Sequence, residues 1–287
     1  MKRYPDWLKK SFSPDGTARM VRGLVEDLGL VTVCESPVCP NLRECYSQRQ
    51  LTFMILGGRC TRSCRFCAVS HGKPGTVAPD EPWRVAEAVQ RLGLKHVVIT
   101  SVARDELADE GAGHFVEVMA AVRRRNPGVT VEVLVPDFHA REELIGQVMT
   151  TRPEVFAHNV ETVERLSPVV RPQADYHRSL TVLRLARSLA HRQIIKSSVM
   201  VGLGERVDEM QKTFDDLVAS GCTHLTVGQY LRPSARHLPV TEYVSPERFA
   251  GYEQLACKAG FQWVLAGPFV RSSYHAIDAI NFASRNL

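Results

Sequence analysis

The chain has 287 residues, of which 44% are hydrophobic and 23% charged, and its net charge is +5. This composition excludes a largely disordered chain, and the length permits one α/β domain around a single large core. No run of about 18 apolar residues occurs, so we expect no membrane span. The first residues lack the apolar segment of a secretory signal. Six of the eight cysteines fall in two tight triplets, which favours metal ligands in the reducing cytoplasm over disulfides.

Residues 1–50 are interrupted by prolines and do not follow the strand–helix alternation of the later sequence. Three cysteines lie in this part, Cys34, Cys39 and Cys45, with the spacing C-x4-C-x5-C. Paired zinc ligands are usually two to four residues apart, so zinc fits this spacing poorly. Together with a further cysteine motif downstream, the triplet favours an iron–sulfur cluster.

A second and more compact triplet, Cys60, Cys64 and Cys67, has the spacing C-x3-C-x2-C and follows a predicted strand over 51–57. Three thiolates can hold three irons of a cubane cluster and leave the fourth iron open to a cosubstrate. The alternatives are a zinc site completed by a distant histidine, or three unrelated buried thiols.

From residue 51 onward, strands and helices alternate. The predicted strands are 51–57, 95–101, 129–135, 154–159, 193–201 and 223–229, with a further edge strand at 261–266. Six strand–helix units predict a parallel sheet with right-handed crossovers, and hence an α/β fold that is a partial (β/α)6 barrel with an open side. We divide the chain into an N-terminal extension (1–50), the barrel (51–265) and a C-terminal tail (266–287).

Polar residues that follow the predicted strands should meet at the carboxyl edge of the sheet, where such barrels bind ligands. Ser101 follows the second strand, and Asn159 and Glu161 follow the fourth. An amide and a carboxylate suit ribose hydroxyls, although Asn159 is equally compatible with a helix N-cap. Arg171 suits a ligand carboxylate, although a surface arginine is the commoner outcome for such a loop.

Two other features favour structural roles. The basic run Arg123–Arg125 closes a predicted helix, where cations suit the negative helix end, so it does not predict a nucleic-acid site. The solitary cysteines Cys222 and Cys257 are interpreted as small buried hydrophobic residues.

The C-x3-C-x2-C motif, with Phe66 directly before its last cysteine, resembles the signature of the radical S-adenosylmethionine (SAM) superfamily. From about Trp7 to Ala276 the chain is similar to the lipoyl synthase family. The two cysteine triplets and the tail segment Arg271-Ser272-Ser273-Tyr274 carry most of this resemblance. Departures such as Tyr46, where the family often has Trp, remove no ligand.

The resemblance implies a sulfurtransferase with two [4Fe-4S] clusters and SAM as cofactors. The ligands implied for the SAM-cleaving cluster are Cys60, Cys64 and Cys67, and those implied for an auxiliary cluster are Cys34, Cys39, Cys45 and Ser273. The predicted SAM contacts are Phe66, Ser101, Asn159, Glu161 and Arg171. Adenosyl radicals would abstract hydrogen at C6 and C8 of a protein-bound octanoyl group, and the auxiliary cluster would donate the sulfur.

The resemblance also implies partners. These are octanoylated lipoyl carrier domains (2-oxoacid dehydrogenase E2 and the glycine cleavage H protein), an electron donor such as flavodoxin or ferredoxin, and a cluster-repair carrier; no nucleic acid is expected. The alternatives are another sulfur-inserting radical enzyme, of the biotin synthase or tRNA methylthiotransferase type, and a non-catalytic iron–sulfur carrier.

Overall fold

The computed structural model describes residues 4–10, 16–35 and 39–285. The helices are α1 (Gly16–Asp27), α2 (Leu42–Ser47), α3 (Glu81–Leu92), α4 (Ala112–Arg125), α5 (Glu142–Thr150), α6 (Ser167–Val170), α7 (Tyr176–Leu189), α8 (Val207–Ala219), α9 (Pro246–Ala259) and α10 (Ala276–Arg285). The strands are β1 (Thr52–Ile55), β2 (Arg59–Cys60), β3 (Ser70–His71), β4 (His96–Ser101), β5 (Thr130–Leu134), β6 (Val155–Ala157), β7 (Ile194–Val201), β8 (His224–Gln229) and β9 (Trp263–Gly267).

Seven strands form one sheet in the order β1-β4-β5-β6-β7-β8-β9, and every neighbouring pair is parallel. Helices connect successive strands, and their apolar faces pack against the sheet; in α3 this face includes Val85, Val89 and Leu92. Because all strands run the same way, their carboxyl ends lie along one edge. The short strands β2 and β3 pair with each other beyond the end of β1.

The partial-barrel fold is confirmed. The six predicted strands correspond to β1 and β4–β8, and the predicted edge strand corresponds to β9. The sheet is open, with β1 and β9 at its two edges. In the described ranges, no helix has both the length and the apolar character needed to cross a lipid bilayer.

Residues 31–33 cover the exposed edge of β1. The N–H of Met54 donates to the carbonyl of Val31 (2.8 Å), and the N–H of Val33 donates to the carbonyl of Thr52 (3.1 Å). Thr32 and Phe53 form an antiparallel bridge between these bonds. An uncovered edge would leave backbone donors and acceptors unpaired. This pairing also places Cys34, the next residue of the extension, beside the start of β1.

A buried ion pair lies near the amino ends of the central strands. Lys196 Nζ lies 2.9 and 3.0 Å from the two carboxylate oxygens of Glu132, and both residues are 1% exposed. His96 and His224 flank the pair, and burial together with the Lys196 charge lowers the pKa of each imidazole to about 4. These imidazoles are therefore neutral at neutral pH. The positive charge of Lys196 and the negative charge of Glu132 neutralise each other.

Two of the local interpretations are confirmed and one is wrong. The basic run ends α4, and Arg123 donates to the backbone carbonyls of Thr151 and Arg152. Cys222 is buried, as expected. Cys257 is exposed instead, because α9 buries the face that carries Phe249, Tyr252 and Ala256.

Candidate functional site

The loop that carries Cys60, Cys64 and Cys67 is held by backbone contacts from several neighbouring loops at the carboxyl edge of the sheet. Thr61 N–H donates to the carbonyl of Ala103, which follows β4 (3.1 Å). Arg65 N–H donates to the carbonyl of Val170 in α6 (2.9 Å), and the Arg65 carbonyl accepts from the N–H of Leu238, which follows β8 (3.2 Å). The path of this loop is therefore fixed from both sides of the barrel opening.

Arg62 adds a charged anchor inside the same loop. Its guanidinium donates to Asp105 Oδ1 (2.6 Å) and to Asp137 Oδ1 (2.7 Å), and its side chain is only 7% exposed. Asp137 also accepts from Arg178 Nη1 (3.3 Å). The Arg62 guanidinium holds the pKa of both carboxyl groups below the usual range despite their burial. Charge-assisted bonds of this kind are the stronger ones in proteins, so they fix the loop firmly.

The three thiols of this loop are half-buried neighbours. Cys60 Sγ accepts from the N–H of Ala103 at 3.3 Å. Burial raises the pKa of Cys64 to about 11, partly opposed by the charge of Arg171, and raises that of Cys67 to about 12, with the charges of Cys60 and Cys64 acting in the same direction. These two groups are thus neutral thiols at neutral pH and become thiolates only beside a cationic partner; soft thiolates match the iron of an iron–sulfur cluster.

The predicted SAM contacts after β6 lie in a strained turn beside these thiols. Asn159 Nδ2 donates to Glu161 Oε1 (3.0 Å), and Glu161 has a left-handed backbone with φ 65°. Burial raises the pKa of Glu161, while the Arg171 charge and the Asn159 hydrogen bond oppose the rise. No helix begins at Asn159, so the N-cap alternative is wrong: the next α-helix, α6, begins at Ser167.

Arg171 is not a surface residue. It is 4% exposed, and it donates to the carbonyls of Asn159 (3.0 Å) and Val160 (2.6 Å) and to Ser179 Oγ (2.9 Å). Three of its five N–H groups are thus used to hold the turn, and two have no partner among the described residues. A surface position, the commoner outcome for such a loop, is wrong here. The carbonyls of Asn159 and Val160 face inward, and the long Arg171 side chain reaches them as a hydrogen-bond donor.

Several buried polar atoms near this turn lack a hydrogen-bond partner among the described residues. They are Ser101 Oγ, Asn159 Oδ1 and His158 Nε2. Such atoms are rare in folded proteins unless a ligand or solvent satisfies them. Phe66 contributes an apolar wall and packs against the small cluster of Val170, Tyr230 and Leu238. Together with Glu161 and Arg171, these residues offer an apolar wall, hydroxyl and amide groups, one negative charge and one positive charge. This combination suits a nucleoside that carries an amino-acid group.

The second triplet lies near the opposite end of β1. Thr52, the first residue of β1, lies beside Cys34, whose thiol pKa its backbone lowers, and donates its hydroxyl to Ser273 Oγ (2.8 Å). Burial and the Cys39 charge raise the pKa of Cys34 to about 12, and burial with the charges of Cys34 and Cys39 does the same for Cys45. Through Thr52, the structure thus brings a hydroxyl from the other end of the chain close to the thiols of the extension.

The C-terminal tail is bonded to the N-terminal extension. Asn41 Nδ2 donates to the carbonyl of Phe269 (2.6 Å), and the Tyr274 hydroxyl donates to Glu44 Oε1 (2.9 Å). Lys10 completes the junction through bonds to Asn41 Oδ1 (2.7 Å) and to Glu44. Because Glu44 is next to Cys45, these contacts hold the tail against the second triplet.

Gly228, near the carboxyl end of β8, makes room for the tail. A Cβ at this position would lie 2.1 Å from the carbonyl oxygen of Val270 and 3.5 Å from Arg271 Nη1. The charge of Arg271 lies near Cys39, although burial lowers the pKa of the guanidinium. The tail therefore passes directly over a strand that has no side chain at that point.

Comparisons with known proteins agree with this geometry. A family model of the radical SAM superfamily matches residues 54–217. The lipoyl synthase of Caldanaerobacter subterraneus subsp. tengcongensis is 50% identical over 281 residues, covering 98% of each chain. That of Rubrobacter xylanophilus is 51% identical over 282 residues, covering 98% of this chain and 88% of the relative. The chain belongs to the lipoyl synthase family. Membership implies SAM and [4Fe-4S] clusters as cofactors, and the two groups of three thiols fit such clusters.

Solved structures support the fold of this lipoyl synthase family member. Methylornithine synthase (PylB) superposes with a TM-score of 0.55 at 12% identity, covering 74% of this chain and 69% of that one. The FeFe-hydrogenase maturase HydG from Carboxydothermus hydrogenoformans gives a TM-score of 0.57 at 12% identity, covering 82% and 65%. At this identity the likeness concerns the fold alone.

Some residues of this site were not singled out from the sequence. Arg62, Asp105 and Asp137 anchor the first cysteine loop, and Thr52 joins Cys34 to Ser273. The only sequence signal for Arg62 was its place between two motif cysteines. Thr52 looked like an ordinary strand residue.

Proposed function

We propose that this chain is a lipoyl synthase that inserts two sulfur atoms, at C6 and C8, into an octanoyl group held in amide linkage on a lysine of a lipoyl carrier protein. The observation that carries the proposal is the pairing of two thiol triplets, the second completed by a serine from the other end of the chain. When bound, SAM and the first cluster supply a carbon-centred radical for hydrogen abstraction, and the second cluster supplies the sulfur.

Cys60, Cys64 and Cys67 would hold the first [4Fe-4S] cluster. The anchored loop and the Arg62 network support this role, because a metal site needs ligands whose positions are set by surrounding contacts. The loop presents its thiols half-buried, which leaves one side open to a cosubstrate.

Phe66, Ser101, Asn159, Glu161 and Arg171 would bind SAM. The unsatisfied Ser101 and Asn159 atoms are available to its hydroxyl and amino groups, and the two remaining N–H groups of Arg171 to a carboxylate. The left-handed backbone of Glu161 is the kind of local strain that folded proteins retain at ligand sites.

Cys34, Cys39, Cys45 and Ser273 would hold the second cluster, within the proposed extension (1–50) and tail (266–287) that flank the barrel (51–265). A serine oxygen is a harder ligand than thiolate and matches iron less well. Thr52 donates a hydrogen bond to this oxygen and would stabilise it when it leaves the metal. Ser273 would therefore be the weakest of the four ligands.

The finer assignments are part of the same proposal. The carriers would be 2-oxoacid dehydrogenase E2 domains and the glycine cleavage H protein. Flavodoxin or ferredoxin would supply electrons, a cluster carrier would rebuild the consumed cluster, and the work would take place in the cytoplasm.

The test is metal analysis followed by single-turnover chemistry. Anaerobically prepared protein should contain about eight irons, four for each cubane. After reduction in the presence of SAM it should convert an octanoylated carrier domain to the dihydrolipoyl form, but should leave dethiobiotin and tRNA unchanged. A single cluster per chain, or sulfur insertion into dethiobiotin or tRNA instead, would refute the proposal.

A further inference from the structure

Positive charge is concentrated in two segments at the barrel opening. Residues 57–79 contain four Arg or Lys residues and no Asp or Glu, and residues 230–241 contain two Arg and no Asp or Glu. Together they carry a net charge of +6, whereas the whole chain carries +5, so the remaining residues sum to −1. The modest overall charge thus conceals a strongly asymmetric distribution.

Arg62 points inward to its two carboxylates, and the other five cations form what we call the basic collar: Arg59, Arg65, Lys73, Arg232 and Arg236. Contacts along the first cysteine loop join the two segments. Leu238 N–H donates to the Arg65 carbonyl (3.2 Å), and His237 Nε2 lies 3.0 Å from the Cys67 carbonyl. The collar residues therefore lie on two segments that meet at the first cysteine loop.

The collar charges are not neutralised within the part of the chain that the structure describes. Arg59, Arg65, Lys73 and Arg236 are exposed, and none of the four forms an ion pair there. Among the same described residues, Arg232 donates only to backbone carbonyls, those of Ala235 and His237.

Three acidic residues close to the opening are already paired with arginines, and a fourth, Glu161, accepts a hydrogen bond from Asn159 near the charge of Arg171. Asp105 and Asp137 are bound by Arg62, and Glu106 is bound by Arg104. An approaching partner would therefore meet the collar as net positive charge.

We infer that the basic collar is the docking surface for an acidic face of the carrier protein, around its octanoylated lysine. This rests on the proposed function, which requires a folded protein to present one side chain at this opening. A nucleic acid is a poorer match: the only aromatic residues of the two segments besides histidine are Phe66 and Tyr230, neither is exposed, and so neither offers a stacking platform. Charges at the rim of an interface act mainly on association and its salt dependence.

The test compares two variants with the same charge. Lys73→Glu/Arg236→Glu reverses two collar charges that are several residues away from any cysteine. Arg192→Glu/Lys258→Glu makes the same change at exposed positions just before β7 and β9, at the opposite end of the strands. Each variant has a net charge of +1 instead of +5. The ligands are a fluorescently labelled octanoylated carrier domain and a short uncharged octanoyllysine peptide.

At low ionic strength, Kd of the carrier domain should rise about tenfold in the collar variant, equivalent to about 1.4 kcal/mol. It should stay within about twofold of wild type in the control. For wild type, Kd should increase with added KCl as screening shortens the Debye length to about 10 Å at 0.1 M, and this dependence should flatten in the collar variant. Single-turnover yield on the peptide and iron content should match wild type in both variants.

Equal Kd values of the carrier domain in the two variants would overturn the docking assignment. A collar variant that loses turnover of the peptide as much as it loses binding of the carrier would overturn it too, as would displacement of the carrier by RNA at a concentration similar to that of the carrier. If wild type modifies neither substrate, the proposed function itself fails. If wild type modifies both and the collar variant binds normally, only this inference fails.

Discussion

Gly228→Ala should remove the second cluster while leaving the first intact. The added methyl carbon would lie 2.1 Å from the Val270 carbonyl oxygen and 3.0 Å from the Val270 carbonyl carbon. Both are backbone atoms, so no side-chain rotation relieves the overlap, and the tail must move by about 1 Å or more to reach an ordinary contact. Ser273 lies three residues further along this tail, and its bond to Thr52 would move with it.

The size of this shift decides the outcome. Metal–ligand distances tolerate only about 0.2 Å, so a 1 Å displacement removes Ser273 as a ligand. The same displacement disturbs the bonds of Phe269 and Tyr274 to the segment that carries Cys45, so the three thiols also lose their positions. Misplacement of this order can cost about 100-fold in rate, which is the expected fall in sulfur insertion. Overpacking costs about 1–3 kcal/mol, which leaves a protein of ordinary stability folded.

The assay is iron and sulfide content, SAM cleavage without carrier, and lipoyl product in a single turnover. Iron should fall from about eight to about four per chain, with SAM cleavage retained. Gly251→Ala is the matched control, because a Cβ there meets nothing within 4 Å and the position lies within α9. A Gly228→Ala protein that keeps both clusters and wild-type product would show that the tail position does not matter for the second site.

Three further predictions concern other parts of the molecule. Cys34→Ala should still cleave SAM but insert no sulfur, whereas Cys60→Ala should lose both activities; normal SAM cleavage by Cys60→Ala would reverse the assignment of the two triplets. Ser273→Cys should hold its cluster more firmly, because thiolate matches iron better, and should give less product in a single turnover; an equal yield would contradict this. Lys196→Met should lower the free energy of unfolding in urea by about 3–5 kcal/mol by leaving Glu132 charged and unpaired, and adding Glu132→Leu should restore most of it. If Lys196→Met is as stable as the double variant Lys196→Met/Glu132→Leu, Glu132 does not carry a buried charge in the single variant.

The sheet and the cysteine ligands could be predicted because their signals are local. Each predicted strand is a short apolar run set between helical segments, and the order of such runs determines a parallel sheet. The spacing of Cys60, Cys64 and Cys67 is contained in eight residues, so a motif is enough to recognise it.

The contacts that position these ligands could not be predicted because they join distant parts of the chain. Arg62 meets Asp137 across 75 residues, and Thr52 meets Ser273 across 221. Neither pair has a spacing or composition that marks it before the sheet is assembled. The burial of Arg171 could not be predicted for the same reason: two of its partners are backbone carbonyls, which every residue has.

The two sites differ in how they are supported, and the difference suits the proposed chemistry. The first is fixed by loops that follow several strands and by a buried arginine between two carboxylates, so opening it would disturb the barrel itself. The second is assembled from an N-terminal segment and a C-terminal tail, held mainly by side-chain bonds such as those of Asn41 and Tyr274. Terminal segments open at lower free-energy cost than core strands. In the proposed mechanism, the centre that must survive each cycle would therefore lie on the rigid part of the fold, and the centre that is dismantled and rebuilt would lie where the chain can open without unfolding.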